Sequence, residues 1–184
     1  MAGLVDVSVG GHYRAGEHPE SRFRRAETPL QPPLTRELRE ELGLTVAPGV
    51  LLPVGRRWME RAGPGWIDRE VQDVFAMLLP GPPEGLDPDA DEVAALLVVE
   101  LEELRALVVA ERPVVLVREL PVRAAGGVDR PHEAQLMADQ LVPADDGYWE
   151  LMARTLLRLL AGSPAGWFEL DDRGAREQKR GQEK

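Results

Sequence analysis

The sequence predicts an α+β fold, and three observations carry the prediction. Strand-like runs come as two pairs, residues 50–58 with 67–79 and 114–123 with 134–141, each joined through glycines. Three stretches, 33–42, 101–109 and 145–160, repeat their apolar residues at helical spacing. The length, 184 residues, suits one domain with a real core.

The elements follow in chain order. Leu4 to Val9 (LVDVSV) alternates apolar and polar residues and runs into Gly10-Gly11, which reads as a strand ending in a tight turn. From His18 to Thr35 the chain is polar and carries Pro19, Pro29, Pro32 and Pro33, so a long loop is expected, with a turn of helix around Arg22 to Ala26. Proline is tolerated in the first turn of a helix. Pro33 to Leu42, stopped by Gly43, therefore reads as a short helix with Leu34, Leu38 and Leu42 as its buried stripe. The runs on either side of Ala62-Gly-Pro-Gly65 form a hairpin, and Pro80 to Asp91 is a surface loop by composition. Ala94 to Val99 reads as a strand and Leu101 to Val109 as a helix, with Leu101, Leu104, Leu107 and Val108 on one side. The second strand pair is joined through Ala124 to Gly127. Asp145 to Leu160 is a helix capped by Asp145 or Asp146, with Trp149, Met152, Leu156, Leu157 and Leu160 inward. The domain is expected to span residues 1–163, and 164–184 to form a charged, disordered tail.

Composition removes several chemistries. The net charge is -10, from 32 acidic and 22 basic residues, which disfavours binding to a nucleic-acid backbone. There is no cysteine, so disulfides, thiolate metal sites and cysteine nucleophiles are excluded. Lysine occurs only at Lys179 and Lys184, which excludes a P-loop and a buried Schiff-base lysine. No run approaches the roughly 18 apolar residues of a membrane span, and the start lacks a signal peptide's pattern. A cytoplasmic protein without a membrane partner is expected.

The chemistry is concentrated on the helix around residue 40. Glu37, Glu40 and Glu41 sit at i, i+3 and i+4, so all three project from one face beside the leucine stripe. Like charges at this spacing cost about 0.2 to 0.5 kcal/mol per pair. A hard divalent cation offsets such repulsion, since magnesium prefers oxygen ligands and leaves positions for water and phosphate. Taken without context, the same run reads as a solvated acidic face.

The context is Gly11-x5-Glu17 followed by Arg36-Glu-Leu-Arg-Glu-Glu-Leu-Gly-Leu44. This resembles the Nudix box, G-x5-E-x7-R-E-U-x-E-E-x-G-U with U aliphatic, the signature of the Nudix hydrolases. Asp6 to Glu17 and Asp68 to Phe75 further resemble the branch related to isopentenyl-diphosphate isomerase. The resemblance implies an α/β/α sandwich around a mixed central sheet, and hydrolysis of a diphosphate linkage in a nucleoside diphosphate derivative or other small organic diphosphate. It implies Mg2+ or Mn2+ held mainly by Glu40 and Glu41, with Glu37 as ligand or base, Glu17 and the Gly11 carbonyl in support, and Arg36 orienting the glutamates. Glu70 is a further candidate ligand or base, with an exposed strand carboxylate as its plain alternative. Arg56, Arg57 and Arg69 are candidate phosphate contacts, suited by their bidentate geometry, and His12 a candidate pocket residue.

Two departures from the pattern matter. Eighteen residues separate Glu17 from Arg36 where the pattern has seven, placing an insertion within residues 18–34. Such insertions cost little closure entropy. The motif also opens at residue 11, with almost no strand-forming sequence before it. Either the start codon is placed late, or the sheet lacks N-terminal strands or borrows one, and an uncovered edge would favour a homodimer. Two other functions stand beside hydrolysis: a Nudix-like binding or regulatory module, and an isoprenoid diphosphate isomerase, which the missing cysteine disfavours. The acidic loop Asp87 to Glu92 lacks the glycine and glutamate spacing of an EF-hand and reads as solvated surface.

Overall fold

The computed structural model of the chain describes residues 4–7, 9–11, 32–47, 49–122, 130–143, 147–164 and 166–171. The expected turn of helix at 22–26, the link at 124–127 and the caps Asp145 and Asp146 lie outside these residues. Two compact units emerge, one from Met1–Leu51 with Met77–Val142 and one from Leu52–Ala76 with Pro143–Lys184. The architecture is α+β, as expected.

In the first unit, helix α1 runs from Pro32 to Leu42. Leu38 and Leu42 of the predicted stripe are buried. Gly43 ends the helix at φ +64, a conformation open to it because it has no Cβ, which would also crowd the Asp87 carbonyl. Its N–H donates to the Arg39 carbonyl at 3.1 Å, and the Leu44 N–H folds back to the Leu38 carbonyl at 3.0 Å. Three antiparallel strands of this unit, β3 (Ala95–Val98), β4 (Val114–Pro121) and β5 (His132–Met137), form a sheet in the order β3-β4-β5. In the first half of β4 burial alternates, with Val115 and Val117 buried and Val114 and Leu116 exposed. Helix α2 (Leu101–Val108) packs on β4 and buries Leu104 and Leu107. Among the described residues, the predicted N-terminal strand shows a single parallel bridge, Val5 to Leu141. Val5 donates to the Gln140 carbonyl at 2.7 Å and accepts from the Val142 N–H at 2.8 Å.

The second unit is built on a long hairpin. Strands β1 (Leu52–Gly63) and β2 (Trp66–Ala76) pair antiparallel from Gly63↔Trp66 down to Leu52↔Ala76, with an irregularity between Pro53 and Gly55. The two-residue turn has proline first and Gly65 at φ +83, the pattern of a type II turn. On the far side of β1 lies β6 (Phe168–Asp171), in parallel register from Gly55↔Phe168 to Trp58↔Asp171. The sheet β2-β1-β6 is thus mixed. Strand β6 corrects the expectation of a tail from residue 164. Phe168 and Leu170 alternate with acids, so one face of a short strand can be buried, and Phe168 joins the core.

Helix α3 (Tyr148–Leu160) supplies the rest of that core, where Tyr148 and Met152 pack with Val54, Val74, Ala76 and Phe168. The predicted face is turned. Met152 is inward as expected and Trp149 and Leu156 pack partly, but Leu160 is 64% exposed, and Tyr148, Ala153 and Thr155 are buried instead. Tyr148, Met152 and Thr155 stand at i, i+4 and i+7, so their stripe decides the orientation; Leu159 continues it and packs partly, while Leu160 falls off its edge. Thr155 satisfies its hydroxyl by donating to the Leu151 carbonyl at 2.8 Å. Among the described residues, no helix is long and apolar enough to cross a membrane.

Candidate functional site

The acidic face of α1 carries the site. Arg36, only 16% exposed at its side chain, donates to Glu37 Oε1 at 3.0 Å and reaches Glu40 Oε2 at 3.9 Å. Arg39 approaches the other Glu40 oxygen at 3.5 Å. Gly11 lies directly against the Glu37 side chain, so that a Cβ there would overlap Glu37 Cγ. The structure therefore brings the glycine of the motif's first half to the helix of its second half, across the inserted segment. Glu17 and His12 lie outside the described residues.

Glu41 is the electrostatically unusual member. Burial pushes its carboxyl above the ordinary carboxylate range, and the charges of Glu37 and then Glu92 push it further. Glu92 was not singled out in the sequence. It comes from the acidic loop, which is exposed as expected yet is also fastened to the end of α1. The Asp87 N–H donates to the Leu42 carbonyl at 3.1 Å and the Asp89 N–H to the Glu41 carbonyl at 2.9 Å. These bonds satisfy two carbonyls that the helix end would leave open. Asp89 then turns the chain, its Oδ1 accepting from the Asp91 N–H at 2.9 Å and its carbonyl from Glu92 and Val93. The only sequence signal for this connection is the density of acids in the loop, which does not say where the loop goes.

The remaining candidates belong to the hairpin unit, and each is engaged there. Arg56 donates to Asp73 Oδ1 at 2.6 Å. Arg57, 5% exposed, lies over the Tyr148 ring with its guanidinium carbon 4.6 Å from the centroid. Arg69 donates to Glu60 Oε2 at 2.7 Å, and Glu70 accepts from Gln72 Nε2 at 3.0 Å. Adjacent strand residues point to opposite faces, so Arg56 and Arg69 share one face of the sheet while Arg57 and Glu70 share the other.

As a cation site, the α1 face has suitable donors: hard carboxylate oxygens, a glycine cradle beside Glu37 that a Cβ would fill, and repulsion around Glu41 that positive charge would relieve. Among the described residues, however, no three His, Asp or Glu side chains are placed together as a metal-holding group. Glu37 and Glu40 are instead turned onto Arg36 and Arg39.

Comparison with known proteins adds a family-level likeness. Over 154 residues the chain is 27% identical to an uncharacterized Nudix hydrolase of Clostridium acetobutylicum, covering 84% of this chain and 68% of that protein. The likeness is distant. It supports a hydrolase of Nudix type at a coarse level and does not reach the isomerase-like branch. No protein-family model matches the chain, and no solved structure matches it.

Proposed function

We propose that this chain is a divalent-metal-dependent Nudix-type hydrolase that cleaves a diphosphate linkage in a small organic diphosphate, by attack of water at phosphorus. The observation that carries the reading is the crowding on α1: Glu41 has its proton affinity raised by burial, Glu37 and Glu92, on a helix whose Glu37 is seated against Gly11. Glu37, Glu40 and Glu41 would hold Mg2+ or Mn2+, and Arg36 would orient Glu37 and Glu40 through the contacts it already makes. When bound, such an ion lowers the pKa of water and neutralises phosphate charge. Glu37, as ligand or base, would help to deprotonate the attacking water. Arg56 and Arg69, on one face of the hairpin, and Arg57, on the other, are alternative candidates for phosphate contact.

A second reading is a Nudix-like binding module with little turnover. It is favoured by the placement of Glu37 and Glu40 on arginines rather than on a common point. Isomerisation of an isoprenoid diphosphate is disfavoured by the cysteine-free sequence. The readings separate when purified protein is incubated with Mg2+ or Mn2+ and a panel of diphosphate compounds, and phosphate or nucleotide release is followed. Release that is lost in Glu41→Gln supports the hydrolase. Ligand-dependent thermal stabilisation without release across the panel supports the binding module and sinks the hydrolase.

A further inference from the structure

The outer edge of β2 has a property that neither the hydrolase reading nor the family likeness touches. Among the described residues β2 pairs with β1 alone and is the edge of its sheet. It is eleven residues long and carries no proline, and its charged residues, Asp68, Arg69, Glu70 and Asp73, are of mixed sign. Ile67 and Val71 are 61% and 45% exposed, and both stand on the face that also carries Trp58.

The hairpin register fixes which backbone groups point outward. A two-residue turn makes Gly63 and Trp66 a hydrogen-bonded pair, so amides and carbonyls directed at β1 alternate with those directed away. The outward set on β2 is Ile67, Arg69, Val71, Asp73 and Phe75. We propose that this edge pairs antiparallel with the same edge of a second copy of the chain, about a two-fold axis at Val71.

Charge and polarity select that register. Centred on Val71, it sets Arg69 against the partner's Asp73, Ile67 against the partner's Phe75, and Val71 against itself. All of these pairs exchange outward hydrogen bonds and share one face. Moving the axis to residue 69 or 73 sets Arg69 against Arg69 or Asp73 against Asp73, which is repulsive. On that face, moving it to residue 70 sets Arg69 against Val71 and moving it to residue 72 sets Arg69 against Phe75, while on the other face the Val71 register pairs Asp68 with Val74. Within each copy Arg69 is already held by Glu60 and Asp73 by Arg56. The pairing therefore joins them into a row of alternating sign: Glu60, Arg69, the partner's Asp73, the partner's Arg56. The Asp73 side chain is only 7% exposed, so the partner's Arg69 must reach its carboxylate alongside Arg56. A strand-pair contact of this size lies at the small end of specific interfaces, and a concentration-dependent dimer follows.

The absence of cysteine makes the test direct, because one engineered thiol reports alone. In this register two Val71 Cα atoms face each other at about 5.5 Å, within disulfide range. Val71→Cys is expected to form a covalent dimer under mild oxidation, whereas Arg69→Cys, which faces Asp73, does not. Sedimentation of the unmodified chain should show a monomer–dimer equilibrium, and Arg69→Glu should raise its Kd about tenfold, since the two-fold repeats each altered pair. Circular dichroism confirms that each variant is folded. A chain that stays monomeric throughout the accessible concentration range overturns the proposal. So does a dimer in which Val71→Cys and Arg69→Cys cross-link equally, or one whose Kd Arg69→Glu leaves unchanged.

Discussion

The acidic face of α1 and the β1–β2 hairpin both carry many charges, and they treat them in opposite ways. On the hairpin, charge is matched by charge: Arg56 with Asp73, Arg69 with Glu60, and the buried Arg57 against the face of Tyr148. On α1, two arginines attend Glu37 and Glu40, while Glu41 keeps the raised proton affinity that burial and two like charges impose. Where charge is matched, the partner offsets the cost of taking it from water. Carboxylates left in mutual repulsion are retained against the interest of stability, and that is where function is expected.

The sharpest way to break this contrast is to disturb each region and ask what is lost. Met152→Ala removes a buried side chain from the core against which the hairpin packs, and should destabilise the protein by about 2–5 kcal/mol in denaturant titration. Glu41→Gln should leave the fold intact and reduce diphosphate hydrolysis by about a hundredfold or more, equivalent to about 2.7 kcal/mol of activation free energy. A residual rate within threefold of the parent would return Glu41 to the status of a solvated acid.

The same exchange of carboxylate for amide should have opposite effects on stability in the two regions. Asp73→Asn takes the charged partner from a half-buried Arg56 and should cost about 1–3 kcal/mol. Glu41→Gln, at neutral pH and with divalent ions chelated, should instead stabilise by a few tenths of a kcal/mol, the size of a relieved like-charge helix pair. The sign follows from linkage. The folded state raises the proton affinity of Glu41, so this group favours folding at pH below the ordinary carboxylate range and disfavours it once pH rises through the raised value. The gain from glutamine should accordingly shrink as the pH is lowered and vanish below the ordinary range. Thermal melts of the two proteins from pH 3 to pH 8 would display it, and equal Tm differences across that span would contradict it.

What could be read in advance follows the range of the interactions. Helix α1, its glycine stop and the hairpin were legible because each depends on residues a few positions apart: the leucine spacing, Gly43, and Pro64-Gly65 between two apolar runs. The placement of Glu37, Glu40 and Glu41 on that helix was legible for the same reason, but not the turning of Glu37 and Glu40 onto Arg36 and Arg39. The face of α3 was not, because Tyr148, Met152 and Thr155 win over Leu160 through what the sheet offers them. Strand β6 was hidden by its acids, and its partner Gly55 is more than a hundred residues earlier. Glu92 was missed because its approach to Glu41 depends on backbone bonds from Asp87 and Asp89, whose side chains gave no hint of them.

Those two amide bonds have a further consequence. They tie a loop outside the nine-residue motif to the last turn of the motif's helix, and they bring the charge of Glu92 to bear on Glu41. The acidity of the candidate site is therefore adjustable from a distance. Replacing Glu92 by a neutral residue is expected to relax part of the upward pull on Glu41 while every residue of the motif stays as it is.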